Sequence, residues 1–344
     1  MAEVRRIPWN GLTVASTFSG CGGSSLGYRM AGFKVVVAHD FVEAARETYR
    51  ANFENTPVLT EDVRQLTAAK LQTYAGLEID VLDGSPPCAS FSMNGEESKL
   101  WGKEKAYGRG GLKQRTDDLF PEYIRLIGEL RPRAFVAENV FGLVRGVGKG
   151  YFKEFLAAMK DKGYRVRAAV LDAQWLGVPQ IRQRLIFIGF RDDLGIEPEH
   201  PTPLPYRYSV GDAVIYQPVP KDSEYPREVW TEGYAIDSEA KRLAQGEKSA
   251  KYFNLVRAHR DLPVTTIVAG GGHAGAAAHL HPFADPPRKF TIPELRRLCG
   301  FPDDFELLGT FEQQWERLGR AVPPPMMAAV ARKVAEKLAA SSRP

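Results

Sequence analysis

The sequence predicts a doubly wound α/β protein, with a mostly parallel sheet covered by helices and a second, smaller and irregular domain. Three observations carry this prediction. Over the first 190 residues, short apolar runs alternate with amphipathic stretches of helical period. From 191 to 287 that periodicity is lost among prolines, scattered aromatics and a Gly/Ala/His-rich stretch. From Pro293 helical periodicity returns. Strands spaced by helices imply βαβ units, whose crossovers place helices on both sheet faces.

The strand-like runs are Leu12–Thr17, Lys34–Ala38, Ile79–Asp83, Arg133–Ala137, Val166–Leu171 and Leu185–Phe190. Between them Glu43–Asn52, Pro121–Leu130 and Phe152–Lys162 place apolar residues three and four apart, the spacing of one helix face. Pro323-Pro324-Pro325 precedes a last helix expected over Met326–Leu338, because proline is tolerated where the first helical amides lack partners. No internal repeat occurs.

Composition sets the outer bounds. The 344 residues suggest two domains at roughly 150 residues each. Hydrophobic residues make up 44% and charged residues 26%, enough for a core and incompatible with global disorder. The net charge of +4 permits a polyanionic partner without establishing one. Three cysteines (Cys21, Cys88, Cys299) argue against a disulfide framework and exclude a four-thiolate zinc site. No apolar run approaches the ~20 residues that span a bilayer. A soluble cytoplasmic protein is the expectation.

Chemistry concentrates at strand ends. Phe18-Ser19-Gly20-Cys21-Gly22-Gly23-Ser24-Ser25-Leu26-Gly27 follows the first strand and opens a helix, where glycines let backbone amides approach a ligand. Asp40 ends the second strand, and Asp62-Val63 follows the next helix. The glycine turn alone is equally well a structural turn. Together with the two acids it implies an adenosine-type cofactor at the carboxyl edge of the sheet. NAD competes as ligand, but the regular dinucleotide fingerprint is absent. Pro86-Pro87-Cys88 follows the Ile79–Asp83 strand, and a cysteine fixed by two prolines at a strand end reads as a nucleophilic thiolate rather than a small core residue. Glu138 ends another strand at the same edge and suits proton transfer to a ring nitrogen, with helix capping as the structural alternative. If extended, Gln180, Arg182 and Arg184 share one face and require an anionic or hydrogen-bonding partner.

These segments, in this order, resemble the DNA cytosine-5 methyltransferase family. Phe18-Ser19-Gly20-Cys21-Gly22-Gly23 is similar to its cofactor loop, Pro86-Pro87-Cys88 to its nucleophile motif and Glu138-Asn139-Val140 to its catalytic acid motif. Gln180-x-Arg182-x-Arg184 resembles its arginine motif. Arg288-Lys289-Phe290-Thr291, Glu294, Arg297 and Gly300-Phe301-Pro302 resemble the segment supporting its recognition domain, and Gly319-Arg320-Ala321-Val322-Pro323-Pro324 its last motif. The motifs run from Thr17 to Pro324.

The resemblance implies a Rossmann-like fold that uses S-adenosyl-L-methionine. It also implies a catalytic domain at 1–190, a target-recognition domain at 191–300 and a return segment at 301–344. Cys88 adds to cytosine C6 while Glu138 serves N3, and Arg184 contacts O2 with Arg182 assisting. The cofactor is held by Phe18 and Phe41 on the adenine, Asp40 on the ribose and Asp62 on the adenine amino group. Gly20, Gly22, Gly23, Val63, Pro86, Arg320, Ala321 and Val322 complete that site. The partner is double-stranded DNA, met by a monomer, with the target cytosine flipped out of the stack.

Basic residues cluster as a DNA partner requires. Lys99, Lys103, Lys105, Arg109, Lys113 and Arg115 stand against one acid, Glu104, with Trp101, Tyr107 and the glycines Gly108, Gly110 and Gly111 interleaved. In the family this loop closes over DNA; a solvated loop is the structural alternative. In the recognition region Thr266-Ile267 matches a family pair, and Gly270-Gly271-Gly272-His273 is expected to bring backbone into the major groove. No metal is expected, since His273, His279 and His281 have no partner cysteine and few acids nearby.

Three positions depart from the family pattern. Ala15-Ser16-Thr17-Phe18 lacks the acid often found just before the loop aromatic, Ala89 stands where glutamine commonly follows the nucleophile, and Arg320 where asparagine is usual. A guanidinium beside a sulfonium repels it, so Arg320 either turns to another anion or pairs with a carboxylated cofactor, carboxy-S-adenosyl-L-methionine. The second case would make 5-carboxymethylcytosine. Three rivals remain. A tRNA methyltransferase of the superfamily keeps every motif but usually carries Cys-Phe-Thr, absent from 191–287. A non-catalytic DNA-binding relative is expected to lose the nucleophile. A nicotinamide oxidoreductase leaves Pro86-Pro87-Cys88 unexplained.

Overall fold

The computed structural model describes residues 1–87, 105–107, 112–114, 118–146, 148–217 and 225–340, with 105–107 and 112–114 as backbone alone. The chain divides into two compact units. The larger comprises Glu3–Leu171, Gln183–Thr202 and Met327–Pro344; the smaller comprises Met1–Ala2, Asp172–Arg182 and Pro203–Met326.

The larger unit is built on a seven-stranded sheet. Its strands are β1 (Thr13–Thr17), β2 (Lys34–His39), β3 (Val58–Leu59), β4 (Val81–Gly84), β5 (Ala134–Val140), β6 (Tyr164–Asp172) and β7 (Gln183–Arg191). Their order is β3-β2-β1-β4-β5-β7-β6. The pairs β1·β2, β1·β4, β2·β3 and β4·β5 are parallel, whereas β5·β7 is antiparallel. Helices α1 (Gly23–Met30), α2 (Glu43–Asn52), α3 (Ala68–Ala75), α4 (Leu119–Leu130) and α5 (Gly148–Asp161) belong to the same unit. Central strands of a parallel sheet are covered on both faces and read as continuous apolar runs. β1 is accordingly buried along its whole length. On α4, Phe120, Tyr123, Ile124 and Ile127 recur at helical spacing and are buried, and Phe120 stacks on Phe155 of α5 at 4.3 Å. That aromatic layer continues to Phe187 of β7.

The doubly wound, mostly parallel reading of the sequence holds. Two features escaped it. β3 is two residues long, too short to alternate, and α3 buries only Leu71, so neither carries a strong period.

The smaller unit has little regular structure among its described residues. A two-residue parallel pair, Val256–Arg257 with His279–Leu280, lies over a core of Ile236, Ala240, Leu243, Leu255 and Leu280. Two helices, α6 (Ile292–Leu298) and α7 (Phe311–Arg320), follow. Each starts with a reciprocal capping box, Thr291 with Glu294 and Thr310 with Gln313, a pattern written directly in the sequence. The last helix runs Pro324–Ala340, two residues earlier at its start than expected. No helix among the described residues is long and apolar enough to cross a membrane.

Candidate active site

Within the larger unit, strand ends and a glycine turn meet at one edge of the sheet. Phe18 leaves β1 at φ +52°, a conformation costly for a residue with a Cβ, followed by Gly20 at +55° and Gly22 at +97°. A Cβ on Gly22 would fall 2.3 Å from Phe53 Cε2, so both conformation and space require glycine there. Gly22 then caps α1, leaving first-turn amides directed out of the turn. The turn is stitched to β2: Ser19 N–H donates to the His39 carbonyl (3.0 Å) and Gly20 N–H to Asp40 Oδ2 (2.8 Å).

Asp40 Oδ1 accepts from Val42 N–H at 2.8 Å, which fixes the carboxylate and leaves lone pairs for further donors. Arg46, which the sequence reading missed, is buried and donates through one nitrogen to the carbonyls of Asp40 (2.9 Å) and Phe41 (2.7 Å). It thereby sets the backbone that presents both residues; only its place one turn into α2 hinted at this. Asp62 caps the short 3-10 turn Val63–Gln65 and pairs with Arg64 at 2.8 Å, and Val63 is buried. This cradle has the features an adenosine cofactor needs: a strained turn, a helix start without a side-chain cap, and carboxylates just beyond β2 and β3. S-adenosylmethionine fits it.

Glu138 near the end of β5 pairs with Arg184 Nε at 2.8 Å, both groups mostly buried. In the antiparallel register Glu138 faces Ile186 and Arg184 faces Val140, so the pair is diagonal. Burial lowers the Arg184 pKa from its ordinary value, against the opposing pull of Glu138. Next to it, Asn139 Nδ2 donates to the Pro86 carbonyl at 3.2 Å, tying the approach to the nucleophile motif to the acid's strand. Gly84 just before has no room for a side chain, since a Cβ would stand 2.4 Å from Tyr123. Cys88 lies outside the described residues, as do Lys99, Lys103, Arg109 and Arg115. Lys105 and Lys113 fall on an antiparallel hairpin, Lys105–Tyr107 with Leu112–Gln114.

In the smaller unit several expected ligand contacts turn inward. Arg182 is 2% exposed and gives its guanidinium to the carbonyls of Ile267, Gly319 and Ala321. Its expected place beside the cytosine is therefore corrected to support of the last motif. Gln180 donates to the Leu298 carbonyl and accepts from Ile267 N–H, so Gln180 and Arg182 both hold the Ile267 backbone, whereas Arg184 pairs with Glu138. Thr266 Oγ1 donates to the Ile181 carbonyl at 2.8 Å. Gly271 and Gly272 form a buried 3-10 turn under Trp315, where a Cβ on Gly271 would meet the indole at 2.6 Å. Gly271 and Gly272 are thus packing positions, whereas Gly270 in the same turn is exposed with open space around it. His273 beside it is exposed and pairs with Glu312 at 3.0 Å. Lys289, fully buried, donates to the Gly271 and His273 carbonyls at 2.9 and 2.7 Å, and burial pulls its pKa down to about 8. Arg288 grips Glu294 with two 2.8 Å bonds; burial raises the Glu294 carboxyl, but Arg288 outweighs it and the net shift is downward. Arg320, 44% exposed at its side chain, pairs through Nε with Glu316 one turn back on α7 at 2.9 Å. Ala321 and Val322 follow, with Val322 buried.

Comparison with known proteins agrees with this geometry. Residues 12–336 match the model of the C-5 cytosine-specific DNA methylase family. The Type II methyltransferase M.NgoFVII of Neisseria gonorrhoeae is 31% identical over 341 residues, covering 93% of this chain and 86% of its own. M1.HphI of Haemophilus parahaemolyticus is 31% identical, with 94% and 86% covered. Among solved structures, a putative DNA modification methyltransferase of an Escherichia coli prophage aligns at TM-score 0.76 and 23% identity, covering 96% of this chain and all of its own. A DNMT2 mutant of Spodoptera frugiperda aligns at 0.69 and 16%, with 94% and 99% covered. These last two show the fold. The chain belongs to the C-5 cytosine-specific DNA methylase family, and its enzyme class is DNA cytosine-5 methyltransferase.

Proposed function

We propose that the protein methylates cytosine C5 in double-stranded DNA after flipping the target base, with Cys88 as covalent nucleophile and Glu138 as the acid at N3. The observation that carries this reading is the buried Glu138–Arg184 pair, joined through Asn139 to the Pro86 carbonyl two residues before Cys88. Cytosine C5 is a poor nucleophile. Addition of the Cys88 thiolate to C6, with a proton held at N3 by Glu138, raises electron density at C5. Arg184 orients the Glu138 carboxyl and contacts O2. After transfer, loss of the C5 proton and expulsion of the thiolate restore the aromatic ring. S-adenosylmethionine, when bound, supplies the electrophilic methyl group. Asp40 holds its ribose, Asp62 its adenine amino group, and Phe18 and Phe41 enclose the ring.

Residues 191–300 read the DNA site, and Lys99–Arg115 neutralises phosphates near the flipped base. The chain acts on duplex DNA as a monomer, in the manner of a modification enzyme. Arg320 supports methyl over carboxymethyl transfer, because its Nε already faces the Glu316 carboxylate on its own helix.

The test is covalent trapping. Duplex DNA with 5-fluorocytosine at the target blocks the final proton loss, so wild-type enzyme is expected to form a denaturant-resistant complex and Cys88→Ala none. An equal complex with Cys88→Ala refutes the nucleophile assignment. Tritium transferred from labelled cofactor to tRNA and not to duplex DNA refutes the substrate.

A further inference from the structure

Asp83 ends β4 beside the glycine turn, and none of the roles above uses it. It is 1% exposed. In the parallel register its partner on β1 is Ser16, whose Oγ donates to Asp83 Oδ2 at 3.0 Å. Ser24, in the first turn of α1, donates to the same oxygen at 2.6 Å. Oδ1 is buried and makes no well-aligned hydrogen bond among the described residues; the equally buried Tyr28 hydroxyl interacts with the carboxyl from beside it. A buried carboxyl with one oxygen unsatisfied is costly, so the fold needs a reason to keep it there. Its location supplies one. This single side chain joins β1, the start of α1 and the strand that leads through Gly84 to Pro87 toward Cys88. The β1 segment Ala15-Ser16-Thr17 is also where the family pattern often has an acid that this chain lacks. The acid in this chain stands one strand across.

We propose that Asp83 is the buried countercharge of the cationic cofactor, a positioning residue that provides from β4 a negative group that β1 lacks. The inference rests on the S-adenosylmethionine reading above. Burial pushes the Asp83 carboxyl up to about 7; the Ser24, Ser16 and Tyr28 hydroxyls oppose that shift, and the Glu138 charge adds to it. The other groups facing it are Tyr28 of α1, Tyr49 of α2 and Tyr123 of α4. All three are pushed above the ordinary tyrosine range and stay neutral. Glu138, paired with Arg184, is the charged neighbour on β5. Without cofactor Asp83 thus carries its proton about half the time near pH 7. A cation brought to the turn favours the ionised form, and the proton leaves to solvent as the cofactor binds. Binding therefore strengthens as pH rises toward 7 and levels off above it.

Calorimetric titration of the full chain with S-adenosylmethionine tests this, near pH 6 and near pH 8, in buffers of different ionisation enthalpy. The cofactor's own amine also titrates, so Asp83→Asn is the reference. Wild type is expected to release more protons than Asp83→Asn near pH 6. Its affinity should fall by up to about tenfold per pH unit below 7 relative to that variant, one unit being a factor of ten. The exchange Ser16→Asp with Asp83→Ser should recover the affinity near pH 8 that Asp83→Asn loses. Equal proton release and equal pH dependence in wild type and Asp83→Asn overturn the inference while leaving the function intact. Should Asp83→Asn not fold, wild type and the exchange variant decide: absence of proton release near pH 6 in wild type overturns it. Failure of wild type to bind S-adenosylmethionine at either pH overturns the function reading and this inference with it.

Discussion

The two units treat their polar residues in opposite ways. In the larger, the sheet ladder and the helices satisfy most backbone groups, with side chains such as Arg46 and Asn139 serving carbonyls just past strand ends. Asp40, Glu138 and Asp83 stand at or near strand ends with lone pairs to spare. In the smaller, few ladders exist, and buried carbonyls must find side-chain donors instead. Arg182 serves Ile267, Gly319 and Ala321, while Lys289 serves Gly271 and His273. Arg257 serves the Ala240 carbonyl in the same way. A motif residue at the edge of a regular sheet is thus available for chemistry. A motif residue in an irregular region is more often part of its scaffold.

The comparison is broken most directly at Glu138. Glu138→Gln keeps an acceptor for Arg184, so the fold and cofactor binding should persist. Turnover is expected to fall by roughly 10²–10⁴-fold, the ordinary worth of a positioned general acid. Single-turnover methylation of duplex DNA measures it. Wild-type rates in this variant would place the proton donor elsewhere.

The smaller unit should respond in stability rather than in chemistry. Glu294→Ala leaves the Arg288 guanidinium buried without its carboxylate and removes half of the capping box on α6. The expected loss is about 3–5 kcal/mol in denaturant unfolding. A loss below 1 kcal/mol would mean the pair is not desolvated in solution.

Lys289→Met should cost less, about 1–3 kcal/mol, through two carbonyls left without a donor. It also carries a pH signature. The folded value near 8 lies below the roughly 10.4 of an unfolded lysine, so between those values the unfolded chain binds more protons. Wild-type stability should therefore rise with pH across that window relative to Lys289→Met. An unchanged difference between about pH 7.5 and pH 10 would show that Lys289 titrates normally.

What was legible in the sequence follows the same division. Strand ends and the glycine turn were readable because β2, β4 and β5 hold short apolar runs stopped by polar residues, and a parallel sheet gathers the carboxyl ends of such strands at one edge. The capping box at Thr291 was readable for the same local reason. Arg46, Asn139 and Asp83 were not, since their partners are backbone carbonyls or serines brought close only by the fold. Asp83 lies 67 positions from Ser16, and no local pattern links the two. The Gly270–Gly272 run looked like an open backbone because glycine permits both ligand approach and close packing. Trp315, 44 positions beyond Gly271, decides for packing here.

The smallest effect is expected at Arg320, the residue whose presence in place of asparagine raised the question of the cofactor. Its ion pair with Glu316 spans one turn of α7 and is nearly half exposed on the arginine side. Such helix pairs contribute about 0.3–0.5 kcal/mol, so Arg320→Asn should leave stability almost unchanged. A guanidinium 4 Å from a sulfonium would repel it by about 4 kcal/mol at an effective dielectric of 20, enough to abolish useful binding unless an anion intervenes. Glu316 is such an anion, supplied by the protein itself. Methyl transfer should therefore proceed with S-adenosylmethionine in the wild type, and Arg320→Asn should change its KM by no more than a few fold. Offered both cofactors, the enzyme should give 5-methylcytosine when the DNA nucleosides are weighed. Glu316→Gln sharpens the point: with the guanidinium no longer balanced, binding of S-adenosylmethionine should weaken and relative use of the carboxylated cofactor should rise. If 5-carboxymethylcytosine dominates in the wild type and disappears in Arg320→Asn, the pairing with Glu316 is not what the cofactor meets, and the carboxymethyl reading replaces the methyl one.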